Sequence, residues 1–83
     1  MSDIFIIQST EVFSRLSASH PSVEVWQDSE FSDDGYAYYW LVANSDGETR
    51  MLAYVRCKDG GCEQRTYDLE GDDLWIPAGT AAA

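Results

Sequence analysis

Basic residues are scarce in this chain of 83: five Lys and Arg stand against 15 Asp and Glu, a formal net charge of −10. Such a chain repels nucleic acid and anionic lipid as a whole and is drawn to basic surfaces, although acidity also serves plain solubility. Histidine is scarcer still. The single His20 precedes Pro21 with no companion base or nucleophile motif nearby, so it reads as a helix-end residue favoured by the carbonyl end of the helix dipole. Cysteine occurs only at Cys57 and Cys62. Structural zinc takes four ligands, and no second cysteine pair exists to complete a site. No apolar run approaches the roughly 20 residues that a membrane-spanning helix needs. The first residues, MSDIFIIQSTEVF, hold no basic segment and one short apolar run at 4 to 7, which argues against a secretory signal. The expectation is a cytoplasmic protein whose two cysteines are thiols, without excluding reversible oxidation of the pair.

Catalytic signatures are absent too. No G-x-S-x-G elbow is present, and the serines are scattered through polar contexts. A calcium loop begun at Asp28 would put Asp33 where glycine is required and Tyr39 where the bidentate glutamate belongs. Gly35, Gly47, Gly60 and Gly71 each follow Asp or Glu, which is turn chemistry and would face a phosphate with carboxylates. Paired carboxylates for glycoside chemistry need a sugar cleft that so small a domain could hardly surround. The chain is therefore read as no enzyme, with no cofactor and no metal.

What is present is a folding composition: 45% hydrophobic and 13% aromatic residues exceed what a disordered chain carries. A chain of this length buries about 60 to 65% of the surface it exposes when unfolded, so one small core is expected. We read a single domain over residues 1 to 76 and a flexible tail over 77 to 83, where Pro77 and Gly79 break structure and nothing large is available to bury.

Residues 4 to 8 are β-branched and apolar, the pattern of a short buried strand. Ser9 or Thr10 can cap a helix over 11 to 18, with Glu11 in its first turn and Val12, Phe13 and Leu16 as its apolar stripe. Pro21 stops it. Beyond the proline the period becomes two: a strand at 23 to 27, an acidic link at 28 to 35, then strands at 36 to 43, 48 to 57 and 62 to 69 around the turns NSDG and KDGG. A last extended segment covers 74 to 76. The fold class expected is α+β: one short N-terminal amphipathic helix packed on an antiparallel sheet of four to five strands, built around a three-stranded meander.

Four-residue loops at both hairpins would set Ala43 opposite Glu48, Trp40 opposite Met51, Tyr38 opposite Ala53, Cys57 opposite Cys62 and Val55 opposite Gln64. One face would then carry Tyr36, Tyr38 and Trp40 with small apolar groups. The other would carry Tyr39, Leu41, Tyr54 and Tyr67 with Arg50, Arg56 and Arg65. Either face could take the helix.

Charge clustering carries the functional expectation. Residues 24 to 34 hold Glu24, Asp28, Glu30, Asp33 and Asp34 without a base, and residues 68 to 73 hold Asp68, Glu70, Asp72 and Asp73 likewise. Carboxylates so grouped can occupy a basic, normally nucleic-acid-binding, surface of a partner protein, imitating phosphates. Exposed aromatics such as Tyr36, Tyr38 or Trp75 would add the contacts that charge alone does not supply. The partner-binding residues expected are Asp28, Glu30, Asp33 and Asp34 with Tyr36 as the adjoining anchor, and Asp72 and Asp73 as a second contact. In size, acidity and lack of catalytic motifs the chain is similar to small phage inhibitors of host defence nucleases, anti-CRISPR proteins among them, and to toxin-immunity proteins. No direct contact with nucleic acid or membrane is expected. The alternative is a small structural domain that forms a homodimer through a free sheet edge.

Overall fold

Three Asp-Gly pairs set the architecture. Asp34–Gly35, Asp46–Gly47 and Asp59–Gly60 all have positive φ at both residues, between 51° and 83°, the conformation of a two-residue type I′ hairpin turn, which glycine and aspartate tolerate and which matches the twist of the flanking strands. In the computed structural model, which describes residues 3–20 and 22–79 with residues 30–33 by backbone alone, these turns join β1 (Val23–Asp33), β2 (Tyr36–Ser45), β3 (Glu48–Lys58) and β4 (Gly61–Tyr67). A longer acidic turn leads to β5 (Asp73–Pro77). The five strands form one antiparallel sheet in chain order, preceded by helices α1 (Asp3–Gln8) and α2 (Glu11–Ser19). The α+β class with a helix on an antiparallel sheet is thus the observed one.

The run at 4 to 8 is a helix and not a strand. A short apolar run does not distinguish the two by period. Thr10 decides it: its hydroxyl donates to the Ile7 carbonyl at the end of α1 and accepts from the Phe13 N–H at the start of α2, so one side chain closes one helix and caps the next. Ser9 donates to the Phe5 carbonyl. Only Ile7 of the apolar run is fully buried, while Phe5 lies two-thirds exposed.

The acidic link is strand as well. β1 continues to Asp33, paired with Tyr36, and absorbs residues 29 to 31 as a bulge between the pairs Asp28–Tyr38 and Ser32–Ala37.

The register of β2 against β3 departs from the expected one twice. The turn takes two residues, so Ser45 pairs with Glu48 and Val42 with Met51. That shift is even and leaves the faces unchanged. The second is a bulge: Leu41 pairs with Ala53, leaving Leu52 without a partner, and Trp40 then meets Tyr54 and Tyr38 meets Arg56. One extra residue turns every later side chain of β3 to the other face. Arg56 and, through the β3–β4 register, Arg65 therefore share a face with Tyr38 and Trp40, whereas Arg50, which precedes the bulge and pairs with Ala43, stays on the face of Tyr39 and Leu41. β3 and β4 keep the expected register, with Cys57 opposite Cys62 and Val55 opposite Gln64.

The helices cover the face bearing Tyr39, Leu41, Val55 and Cys57, which form one core with Ile7, Val12 and Ala78. Each fully buried Leu, Ile or Val there contributes about 1.5 to 3 kcal/mol. Tyr39 donates its hydroxyl to Asp3 at 2.8 Å and so draws α1 onto the sheet. Cys57 and Cys62, expected as thiols, are joined in a disulfide across the β3–β4 pair, with Cα atoms 4.2 Å apart. The first residues of the expected tail are held: Ala78 is buried, its N–H donates to the Cys62 carbonyl, and its own carbonyl accepts from Val12. Residues 80–83 lie outside the described ones. No described helix is long and apolar enough to cross a membrane.

Candidate functional site

With helices on one face, the other face of the sheet stays open, and the ladder decides what it presents. Reading across the strands, Trp26 pairs with Trp40 and Trp40 with Tyr54. Asp28 pairs with Tyr38, Tyr38 with Arg56 and Arg56 with Glu63. Arg65 pairs with Trp75 and Tyr67 with Asp73. Alternation places all of these on the open side.

They enclose a cleft of about 390 Å³ lined by Asp28, Tyr38, Trp40, Tyr54, Arg56, Arg65, Asp73 and Trp75. Trp75 of β5 lies 5.8 Å from the Tyr38 ring of β2, centroid to centroid, in an edge-to-face contact. That contact spans two intervening strands, so the face is concave. Tyr54 is the hub of the floor. Its ring lies 4.3 Å from Trp40, 5.6 Å from Tyr38 and 6.0 Å from Trp75, distances at which aromatic pairs contribute beyond their buried area.

The two arginines of the cleft have different surroundings. Arg56 packs on the rings of Tyr36 and Trp75, 4.2 and 4.3 Å from their centroids, and donates from Nε to Glu63 at 2.8 Å. Burial alone would lower its pKa; hydrogen bonds with Glu63 and Tyr38 and the charge of Glu63 outweigh that and raise it above the ordinary arginine value. Arg65 lies against Tyr54, Tyr67 and Trp40 at 4.9, 5.7 and 5.8 Å. It has no carboxylate within ion-pair distance among the described residues.

On the β1 side, Tyr54 donates its hydroxyl to Asp28 at 2.8 Å. Burial first, then this hydrogen bond and the charge of Asp28, push the phenol up to about 12 against the opposing influence of Arg65. Tyr54 therefore stays a donor at neutral pH. At the β5 side, the Asp68 carboxylate accepts the N–H groups of Glu70 and Asp72 and so builds the acidic turn that delivers Asp73.

Of the residues expected to bind a partner, Asp28 and Asp73 reach this cleft. Tyr36 joins it indirectly, through the Arg56 stack. Asp34 lies in the first hairpin turn and Asp72 in the β4–β5 turn, both exposed and away from the cleft. Glu30 and Asp33 belong to β1 by backbone, but their side chains lie outside the described residues. Tyr38, expected as an exposed anchor, is only 3% exposed. Sequence reasoning passed over Trp40, Tyr54, Arg56 and Arg65. The alternation of Tyr36, Tyr38 and Trp40 along β2 was a signal for an aromatic face; the arginines were assigned to the wrong face because nothing local marks Leu52 as a bulge.

Among the described residues no group of three or more His, Cys, Asp or Glu could hold a metal ion. Compared with models of known protein families, with curated proteins and with solved structures, the chain matches none.

Proposed function

We propose that this protein acts by binding, and that the carboxylates along both edges of its sheet meet a basic surface of a partner protein that otherwise holds nucleic acid. The observation that carries the reading is the arrangement of the open face: a Trp, Tyr and Arg cleft with Asp28 on the β1 side and Asp73 on the β5 side. Tryptophan, tyrosine and arginine are the residues that dominate binding energy in protein interfaces, while flanking charge governs encounter rate and choice of partner. The protein would act as an inhibitor, in the cytoplasm of the cell that makes it, by excluding phosphates from the partner's lysines and arginines.

The test is capture of cellular proteins on the tagged chain at low and high salt, after nuclease treatment. The reading expects a stoichiometric nucleic-acid-binding protein that salt releases, and at least a tenfold loss of its affinity in the double variant Asp28→Lys, Asp73→Lys. Unchanged affinity in that variant would sink it. Self-association through a sheet edge is less favoured, since β1 carries a bulge and acids and β5 ends in Pro77, the devices that discourage edge pairing.

A further inference from the structure

The two arginines of the open face invite different questions. Arg56 is satisfied: the rings of Tyr36 and Trp75 lie 4.2 and 4.3 Å from its guanidinium carbon and its Nε is bound to Glu63. Arg65 is held against three aromatic rings yet meets no carboxylate among the described residues. No buried side-chain nitrogen or oxygen lacks a partner among those residues, so the unpaired N–H groups of Arg65 are open to solvent. A guanidinium whose faces are stacked keeps its edge donors for a planar, two-oxygen acceptor.

We infer that the cleft over Arg65 is a receptor for a monoanionic carboxylate carried beside a planar aromatic ring. The volume of about 390 Å³ lies within the ~300 to 1,000 Å³ of small-ligand clefts. The walls Trp40 and Trp75 are aromatic and only partly covered, above the buried floor of Tyr54, which suits a flat ring stacked or set edge-on. Charge selects the acid. With Arg56 paired to Glu63, Arg65 is the one cation of the lining without an ion pair among the described residues, and Asp28 and Asp73 line the same cleft. A single negative charge pairs with Arg65, whereas a dianionic phosphate brings a second charge toward two carboxylates. This binding is separate from the partner-protein reading, since the ligand binds with no partner present, and each can fail alone.

The test is a titration of the isolated protein with three matched probes, naphthoate, naphthamide and naphthyl phosphate, followed by NMR at the indole N–H of Trp40 and Trp75 and the Nε–H of Arg65. Naphthoate is expected to bind saturably, at least tenfold more tightly than either the neutral amide or the phosphate. In Arg65→Gln the preference for acid over amide disappears; in Arg65→Lys part of it survives. Equal binding of acid and amide by the unaltered protein, tighter binding of the phosphate, or no saturable shift at Trp40 and Trp75 overturns the proposal. The first comparison needs no variant, so a misfolded Arg65→Gln leaves it decided.

Discussion

Tyr38 and Tyr39 are adjacent in the chain, both nearly buried, and belong to different structures. Tyr39 points into the helix-covered core and binds Asp3. Tyr38 points to the open face and lies under Tyr54 and Trp75. The covered face is aliphatic at its centre, with Leu41 and Val55 at 0% exposure, and is closed by two helices. The open face is built of rings and arginines that cover one another. The lesson is that a small sheet can bury aromatic area on a face that no described helix covers, because guanidinium groups stack on the rings while keeping their edges wet. The first face holds the fold together; the second leaves polar edges for recognition.

The largest effect expected separates the faces by stability. Leu41→Ala opens a cavity in the closed core and should cost about 3 to 4 kcal/mol, whereas Trp75→Ala, on the half-buried open side, should cost about 2 kcal/mol or less. Urea denaturation of both variants measures this, and equal losses would erase the distinction.

Alkali tests the two faces together. Tyr39 and Tyr54 both have pKa values raised from 10.0 to about 12, by burial first and then by their carboxylate partners. Because the folded values lie above the unfolded ones, the stabilisation is complete below pH 10 and is lost as pH rises through 12, up to about 3 kcal/mol for each phenol. Denaturation midpoints measured across that window should fall steeply, and Tyr39→Phe and Tyr54→Phe should each remove about half of the slope. An unchanged slope in either variant would show that its phenol titrates normally.

The disulfide belongs to the covered face. Its short loop gives about 2 kcal/mol by chain-entropy reasoning. Reduction should lower stability by that amount and loosen Ala78, whose N–H is bound to the Cys62 carbonyl, while the indole signals of the open face stay in place. Hydrogen exchange with and without a dithiol reads both. Free thiols found by alkylation of the unreduced protein would contradict the bond.

The smallest effect lies within the open face. Glu63→Gln keeps a hydrogen-bond acceptor for Arg56 but removes the charge, at a cost of about 1 kcal/mol. Thermal unfolding should show a slight loss and the Trp75 signal a small shift; a loss as large as that of Leu41→Ala would make the pair a structural keystone.

Much of this was legible in the residues. Thr10 with Glu11 marks the start of α2, and Asp46–Gly47 and Asp59–Gly60 mark two hairpins, because both signals act within a few bonds; the third, Asp34–Gly35, was expected to lie in an acidic link. The Cys57–Cys62 and Val55–Gln64 pairings followed directly from the turn between them. The candidate site was legible only in fragments. Asp28 and Asp73 stood out by charge, but neither the cleft between them nor Arg65 within it could be read from spacing. Residues 4 to 8 misled, since their apolar run fits helix and strand alike and a hydroxyl two residues beyond decided between them.

By itself, then, the sequence determined the local chemistry: where the β2–β3 and β3–β4 hairpins turn, where the second helix starts, that three strands form a central meander and how negative the molecule is. Those are short-range matters of backbone preference and of charge, which is additive. Only the tertiary structure decided which side of the sheet each residue serves. Side chains alternate with a period of two, so the single unpaired Leu52 moved Tyr54 and Arg56 from the covered face to the open one. No local rule selects that residue; the bulge lets Leu41 and Val55 close the core beneath the helices while the rings and arginines assemble on the other side.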